Sequence, residues 1–239
     1  MQQIIEKLPY LGWFGFLTNL NLTDQRPMIA NYSITTSPEV LKEKYFLDEL
    51  QAFEPNFNAQ PTQALPVITS EHPDQLTVFN WGIIGDFTRN KAVSDKLLYA
   101  PLADIPHKAS LSNSLKTKRC VVLADGFYSW KTISKKGLTP YRTALPANEP
   151  FAMAGLWNEY TSDEDEMHST FMIITTNATG KMANVADRVP VILTDNLLIE
   201  WLNPDTQDGS LLDFLKNEEI ERFHSYPINP RLKDPEFNK

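Results

Sequence analysis

Four histidines, one cysteine and a run of four carboxylates are the residues of this chain best suited to chemistry. The histidines, His72, His107, His168 and His224, stand far apart with no i, i+4 pair, so no helix face or short loop gathers them around zinc. Each reads as a surface or loop residue, and no metal site is expected. Asp163-Glu164-Asp165-Glu166 lacks the spacing and the sharp-turn glycine of a calcium loop and reads as a solvated hairpin tip. Cys120 follows Lys116-Thr117-Lys118-Arg119, whose charges favour a thiolate, but it also opens the apolar run into Val121, Val122 and Leu123. It is read as a small core hydrophobe. Phosphate-loop, dinucleotide, HExxH and paired-cysteine motifs are all missing from the sequence, and no cofactor is expected.

Composition narrows the partners. The net charge of -8 opposes general affinity for phosphate backbones, so any nucleic-acid site must be a local positive patch. The longest apolar tract, Leu8 to Leu22, is broken by Pro9, Gly12, Gly15, Thr18 and Asn19 and is shorter than the roughly 20 residues a membrane span requires. No membrane partner is expected. Glu6 offsets Lys7 ahead of that tract and no small-x-small site follows it, which argues against a secretory signal. With a single cysteine, an intramolecular disulfide is excluded, and a reducing, cytoplasmic location is the expectation.

The elements that must position any site follow from patterning. Met28 to Ser37 reads as a strand, and Ser37-Pro38-Glu39 as the cap, first-turn proline and acidic first turn of a helix running to about Leu50. Pro55 to Pro66 carries three prolines and two asparagines and reads as an irregular loop leading into the strand Val67 to Thr69. Leu76 to Ile84 is another strand, and residues 85 to 119, polar and without sustained periodicity, read as long surface loops. Cys120 to Ala124, Phe127 to Lys131, Tyr141 to Ala144, Phe151 to Tyr160 and Thr170 to Thr176 then read as an antiparallel meander, with a short strand at Pro190 to Leu193. Thr194-Asp195 caps a helix bearing Leu197, Leu198, Trp201 and Leu202, and a second carries Leu211, Leu212, Phe214 and Leu215. The expected class is α+β: one domain with a β-rich, barrel-like core and flanking helices.

Several stretches, in order, carry a resemblance. Asn56 to Pro66 is similar to a Tyr-Asn-x-x-Pro-x-Gln segment and Asn80 to Phe87 to a Trp-Gly-Leu-Ile-Pro-x-Trp segment. Cys120 to Trp130, CVVLADGFYSW, resembles an Ala-Asp-Gly-aromatic-aromatic-Glu-Trp signature. Phe151 to Trp157 and Phe171 to Asn177 resemble strands of the same family, and Asp187 to Leu193, DRVPVIL, resembles its His-Asp-Arg-Met-Pro-Val-Ile-Leu segment. The family is that of the SOS-response-associated peptidases (SRAP), which process abasic sites in single-stranded DNA. The resemblance covers Met28 to about Asn229, leaving residues 1–27 as an N-terminal extension of uncertain status and 28–239 as the SRAP-like domain.

The resemblance also implies what is missing. The family begins Met-Cys-Gly-Arg and loses its methionine, so that the cysteine's amine and thiol condense with the ring-opened aldehyde; here the matching run is Met28-Ile29-Ala30-Asn31. Ile29 has no thiol, and with residues before it its nitrogen is an amide. Ser129 stands where the resemblance places a glutamate, Ala186 where it places a histidine, and Tyr99-Ala100-Pro101 where it places Asn-Ala-Arg. Neither Ser129 nor Ala186 replaces a proton-transfer group. Phe87, at a tryptophan position, and Arg188 are left as DNA-binding candidates, one to stack on a base and the other to meet a phosphate; alternatively Phe87 faces the core and Arg188 pairs with Asp187 or another acid.

Three functions follow as expectations. The first is a pseudoenzyme that holds single-stranded DNA weakly. The second is a module for an unknown protein partner that no longer touches DNA, which the acidic charge favours. The third is a peptidase or lyase acting through other residues, which requires Cys120 to be exposed beside a base.

Overall fold

A strand covered on both faces reads as an unbroken apolar run, and Cys120–Ala124 is one: with Arg119 ahead of it, every residue of RCVVLA is buried. A computed structural model describes residues 29–82, 98–134, 137–161, 165–206, 211–213, 215 and 222–233. Its first strands are β1 (Ile29–Ile34), β2 (Glu49–Leu50), β3 (Asn56–Ala59), β4 (Ala64–Thr69) and β5 (Gln75–Trp81). There follow β6 (Tyr99–Pro101), β7 (Arg119–Ala124), β8 (Gly126–Ser134), β9 (Gly137–Ala144), β10 (Phe151–Thr161) and β11 (Met167–Asn177). The last are β12 (Arg188–Pro190), β13 (Ile192–Leu193) and β14 (His224–Pro227). The helices are α1 (Pro38–Tyr45), α2 (Ala109–Thr117) and α3 (Asp195–Leu202).

Strands β11, β10, β7, β4 and β5 pair in that order, and β5 returns parallel to β11 through Asn80↔Thr170 and Trp81↔Phe171. The ring closes into a five-stranded barrel, which removes the exposed edges an open sheet would present. Gly155 of β10 sits between Cys120 of β7 and Met172 of β11: a Cβ there would fall 2.9 Å from the Cys120 sulfur and 3.0 Å from the Met172 carbonyl. A second sheet, ordered β14-β9-β8-β1-β3, is built beside the barrel. The α+β class with a barrel core and flanking helices is therefore the observed architecture.

Asp125 turns the chain from one sheet into the other. Buried between β7 and β8, its carboxylate accepts hydrogen bonds from the Ser33 and Thr35 hydroxyls at 2.6 and 2.7 Å, and from the Thr36 amide at 3.1 Å. Arg142 of β9 meets the same carboxylate at 3.2 Å and the Asp125 carbonyl at 2.9 Å. Gly126 makes room for that guanidinium, since a Cβ would lie 2.6 Å from its Nε. Another arginine, Arg119, is fully buried and donates to the carbonyls of Leu115 (2.8 Å), Trp201 (2.7 Å) and Asn203 (2.6 Å). It thereby satisfies the C-terminal carbonyls of α2 and α3 with positive charge, where the helix dipoles favour it.

Several sequence expectations need correction. The helix from Pro38 stops at Tyr45, because Phe46 takes a left-handed conformation (φ 55°) and its amide bonds back to the Lys42 carbonyl. The stretch Pro55 to Pro66 is not a loop throughout: Asn56–Ala59 pairs with β1, and β4 begins at Ala64. Pro66 is tolerated in β4 because β7 joins that strand only from Val67 on. Residues 85 to 119 are not all loop either, since they contain β6, a 3-10 turn at Leu102–His107 and α2, whose Leu111 and Leu115 are buried one turn apart. The five central strands do not form a meander: β8 and β9 leave for the second sheet, and β7 pairs directly with β10. Pro190 to Leu193 divides at Val191 into β12 and β13, and Thr194 precedes α3 without a side-chain cap bond.

Candidate functional site

β1 delivers Ile29 to the second sheet directly opposite Ser129 of β8, with Tyr141 of β9 on the far side of Ser129. A bulge follows, because four residues of β1, Ile29 to Tyr32, span three of β8, Ser129 to Phe127. The Ser129 side chain is fully buried, and its hydroxyl has no hydrogen-bond partner among the described residues. Such an atom has lost water without compensation, the least favourable state for a hydroxyl.

Ala186 and Tyr99, the other two positions singled out by the resemblance, approach from the barrel. Ala186 is buried at the end of a 3-10 turn (Gly180–Asn184), its amide bonded to the Met182 carbonyl at 2.9 Å, and leads into β12, which lies against β1. Tyr99 of β6 pairs with Ile173 and stands edge-on to Trp81, ring centroids 5.8 Å apart; Trp81 stands edge-on to Tyr32 of β1 at 5.2 Å. Burial pushes the phenols of Tyr32 and Tyr99 far above their ordinary range, so neither supplies a proton near neutral pH. The geometry brings Ile29 and Ser129 together and connects Tyr99 to β1 through Trp81. Neither Ser129 nor Ala186 supplies an acid or base.

Arg188 opens β12 beside the end of β11. Its guanidinium donates to the Thr175 hydroxyl from Nε (3.2 Å), to the Thr175 carbonyl from Nη2 (2.7 Å) and to Asn177 Oδ1 from Nη1 (3.0 Å). Partial burial draws it below the ordinary arginine range, an effect opposed by Asp104. It forms an ion pair neither with Asp187 nor with another acid among the described residues. The charge is thus oriented by neutral acceptors. Phe87 lies outside the described residues.

Cys120 is fully buried in β7, and burial pushes its thiol far above the usual range. That matches its reading as a core residue and leaves it out of a substrate's reach. His72, His107 and His224 are exposed, and His168 stacks on Tyr160 at 5.1 Å. Among the described residues no three of His, Cys, Asp and Glu gather as metal ligands. The acidic run is described only at Asp165 and Glu166, both exposed.

Sequence reasoning missed three groups here. Asn31, at the arginine of the resembling start, donates to Asn58 Oδ1, and Asn58 in turn donates to the Leu232 carbonyl at 3.2 Å. Only the Asn58 of the Tyr-Asn-like segment hinted at this. Asp125 with Arg142 was signalled by the Ala-Asp-Gly signature, whose aspartate proves structural. The Arg119 cap had no local signal.

Comparison with known proteins bears on this arrangement. A family model described as SOS response associated peptidase (SRAP) matches residues 28–235. The abasic site processing protein YoqW of Bacillus subtilis is 29% identical over 88% of this chain and 96% of its own length. YoaM of the same organism, also named an abasic site processing protein, is 30% identical over 88% of this chain and 95% of its own. The Xenopus tropicalis abasic site processing protein HMCES is 27% identical over 78% of this chain and 64% of its own. A crystal structure of a Bacteroides thetaiotaomicron protein superposes with a TM-score of 0.75 at 25% identity, covering 86% of this chain and 96% of that one. No helix among the described residues is long and apolar enough to cross a membrane. With the family model spanning most of its length and the barrel shared with a solved structure, the chain belongs to the SOS response associated peptidase family.

Proposed function

We propose that this chain is a non-covalent member of its family, a cytoplasmic pseudoenzyme whose domain begins at Met28 and which holds single-stranded DNA weakly without crosslinking to an abasic site. The observation that carries this reading is the pairing of Ile29 with Ser129. The position of the family's nucleophile and the position of its glutamate are neighbours, and neither residue can donate the amine, thiol or carboxyl that the chemistry requires. Ala186 removes the remaining proton carrier. Arg188, partly exposed and hydrogen-bonded to neutral acceptors, supports retained contact with a phosphate, and Phe87 is the aromatic proposed to stack on a base.

The test is incubation with abasic and intact single-stranded oligonucleotides, scoring covalent adducts and retention separately. Salt-sensitive retention of both without an adduct is expected. An adduct that survives denaturing electrophoresis would refute the pseudoenzyme reading. A second reading, a module for a protein partner, is favoured by the net charge of -8 and by Asn31 in place of a cation. Absence of retention even at low salt would select it. The third reading, hydrolysis through Cys120, loses support from the burial of that thiol.

A further inference from the structure

β14 ends the second sheet and has two unlike faces. Phe223, just ahead of it, packs on Phe127 and Phe151 with ring centroids 6.3 and 5.0 Å away, and Ser225 shares a hydrogen bond with Thr143 at 2.7 Å. That face is turned to the core, and alternation turns His224 and Tyr226 the other way. Both are exposed, Tyr226 by 37%, and their rings stack with centroids 5.8 Å apart and planes 21° from parallel. Tyr226 lies opposite Arg142 and Arg142 opposite Tyr128, so the two rings stand on the face of the sheet opposite to that of Ser129.

These rings are held in place. Arg142 donates to the Tyr226 hydroxyl from Nη1 at 2.8 Å while its Nη2 meets the Asp125 carboxylate at 3.2 Å, so the Tyr226 ring takes its position from the buried corner between the sheets. Rings ordered in advance lose little freedom when a flat partner stacks on them. The edge of β14 is a poor template for an added strand, since it is four residues long and Pro227 has no amide to donate. What β14 offers a partner is therefore the faces of its rings. Arg222, two residues before His224, is 65% exposed and meets Glu149 at 3.7 Å. An exposed pair of this kind contributes little, so a phosphate replaces the carboxylate at small cost. Flat aromatic surface beside such an arginine suits the unstacked bases and the phosphates of a single strand. We propose that His224 and Tyr226 form a stacking platform for single-stranded DNA, with Arg222 meeting an adjoining phosphate, at a site separate from the Ile29 and Ser129 position. The choice of DNA as the single strand rests on the reading given under Proposed function; the platform itself does not.

The test uses the full chain and a fluorescein-labelled oligothymidylate of about 15 nucleotides, within the span of a single-strand site. In a first measurement 5-iodouracil replaces thymine along the strand, the complex is irradiated, and the crosslinked peptides are mapped. Adducts on His224 or Tyr226 of the unaltered protein are expected; adducts confined to other strands overturn the proposal without any variant having to fold. In a second, affinity is read by fluorescence anisotropy at low salt. H224A/Y226A should weaken binding about fivefold or more, and Tyr226→Phe, which keeps the ring, should weaken it less than Tyr226→Ala. Arg222→Gln should make the dependence of log affinity on log salt shallower by about 0.7. Annealing the strand to its complement should remove the difference between H224A/Y226A and the parent, because paired bases are not free to stack on the rings. Unchanged affinity in a folded H224A/Y226A overturns the platform. If Arg188→Ala loses binding while H224A/Y226A keeps it, the platform falls and the contact at Arg188 stands; the reverse result keeps the platform and removes that contact. Absence of binding by the parent at low salt overturns both, and tighter binding of oligouridylate than of the DNA strand overturns the assignment to DNA.

Discussion

Ile29 of β1 and Ser129 of β8 are cross-strand partners, and the hydroxyl of Ser129 is buried beside that pairing with no hydrogen-bond partner among the described residues. A buried polar atom in this state costs about 1–3 kcal/mol relative to a satisfied one, and replacing it with an apolar atom of similar size removes that cost. Ser129→Ala is therefore expected to be neutral or to raise stability by about 1 kcal/mol. Ser129→Glu should lower stability, because a carboxyl placed there has to be desolvated. Urea unfolding of the two variants decides: loss of stability in Ser129→Ala would reveal a partner for the hydroxyl.

The pair of buried Asp125 and half-buried Arg142 makes the opposite prediction. Asp125 is 1% exposed and serves Ser33, Thr35, Thr36 and Arg142 together, so its removal orphans donors on two strands and strands a guanidinium. Asp125→Ala should cost about 3–5 kcal/mol. Since Arg142 also bonds Tyr226 and Asn148, Arg142→Met should leave the carboxylate uncompensated but its hydroxyl and amide donors in place, and cost less. Equal losses in the two variants would show that the ion pair alone holds the corner.

Cys120 sets a pH dependence. Its thiol is pushed far above the usual range in the folded protein, whereas in the unfolded chain it titrates near the ordinary value of about 8.5. Stability from this group is fully present below that value and declines as pH rises above it, because only the unfolded chain gains the thiolate. Cys120→Ala should flatten the decline between about pH 8.5 and 10, before tyrosines contribute. In the folded protein the thiol should also resist a thiol reagent until denaturant is added. Rapid labelling under native conditions would contradict its burial.

What could be read from the sequence and what could not divides along physical lines. The barrel strands were legible because Cys120 to Ala124 and Phe151 to Trp157 are apolar throughout, as strands covered on both faces must be. α2 was not, because ASLSNSLKT offers only Leu111 and Leu115 to the core, and the side chain that completes its C-terminus, Arg119, comes from the following strand. β3 was hidden by its flanking prolines, since its strand geometry depends on β1, more than twenty residues away. Alternation likewise could not say that β8 and β9 belong to a second sheet; that depends on the turn at Asp125. The substituted positions were visible only through resemblance, and the pairing of Ile29 with Ser129 joins residues about a hundred positions apart, for which no local pattern exists.

Arg188 provides the sharpest test of whether DNA contact survives. Thr175 and Asn177 hold its guanidinium through three donor nitrogens, and none of these acceptors carries charge, so the cation is oriented by neutral groups. Docking one phosphate on it would release counterions, giving a dependence of log affinity on log salt of about -0.7 per contact for a single strand. Arg188→Ala should therefore weaken binding equally for all sequences and make the salt slope shallower by about 0.7. Phe87→Ala, by contrast, should cost about 1–3 kcal/mol with the slope unchanged, as expected for loss of a stacking surface. Arg188→Lys separates charge from orientation, since lysine keeps the charge but cannot reach Thr175 and Asn177 as a fork. Retention of slope with reduced affinity in Arg188→Lys is the expected result. If Arg188→Ala binds DNA with the wild-type slope while remaining as stable as the parent, the guanidinium serves only to tie β12 to β11, and the phosphate contact lies elsewhere.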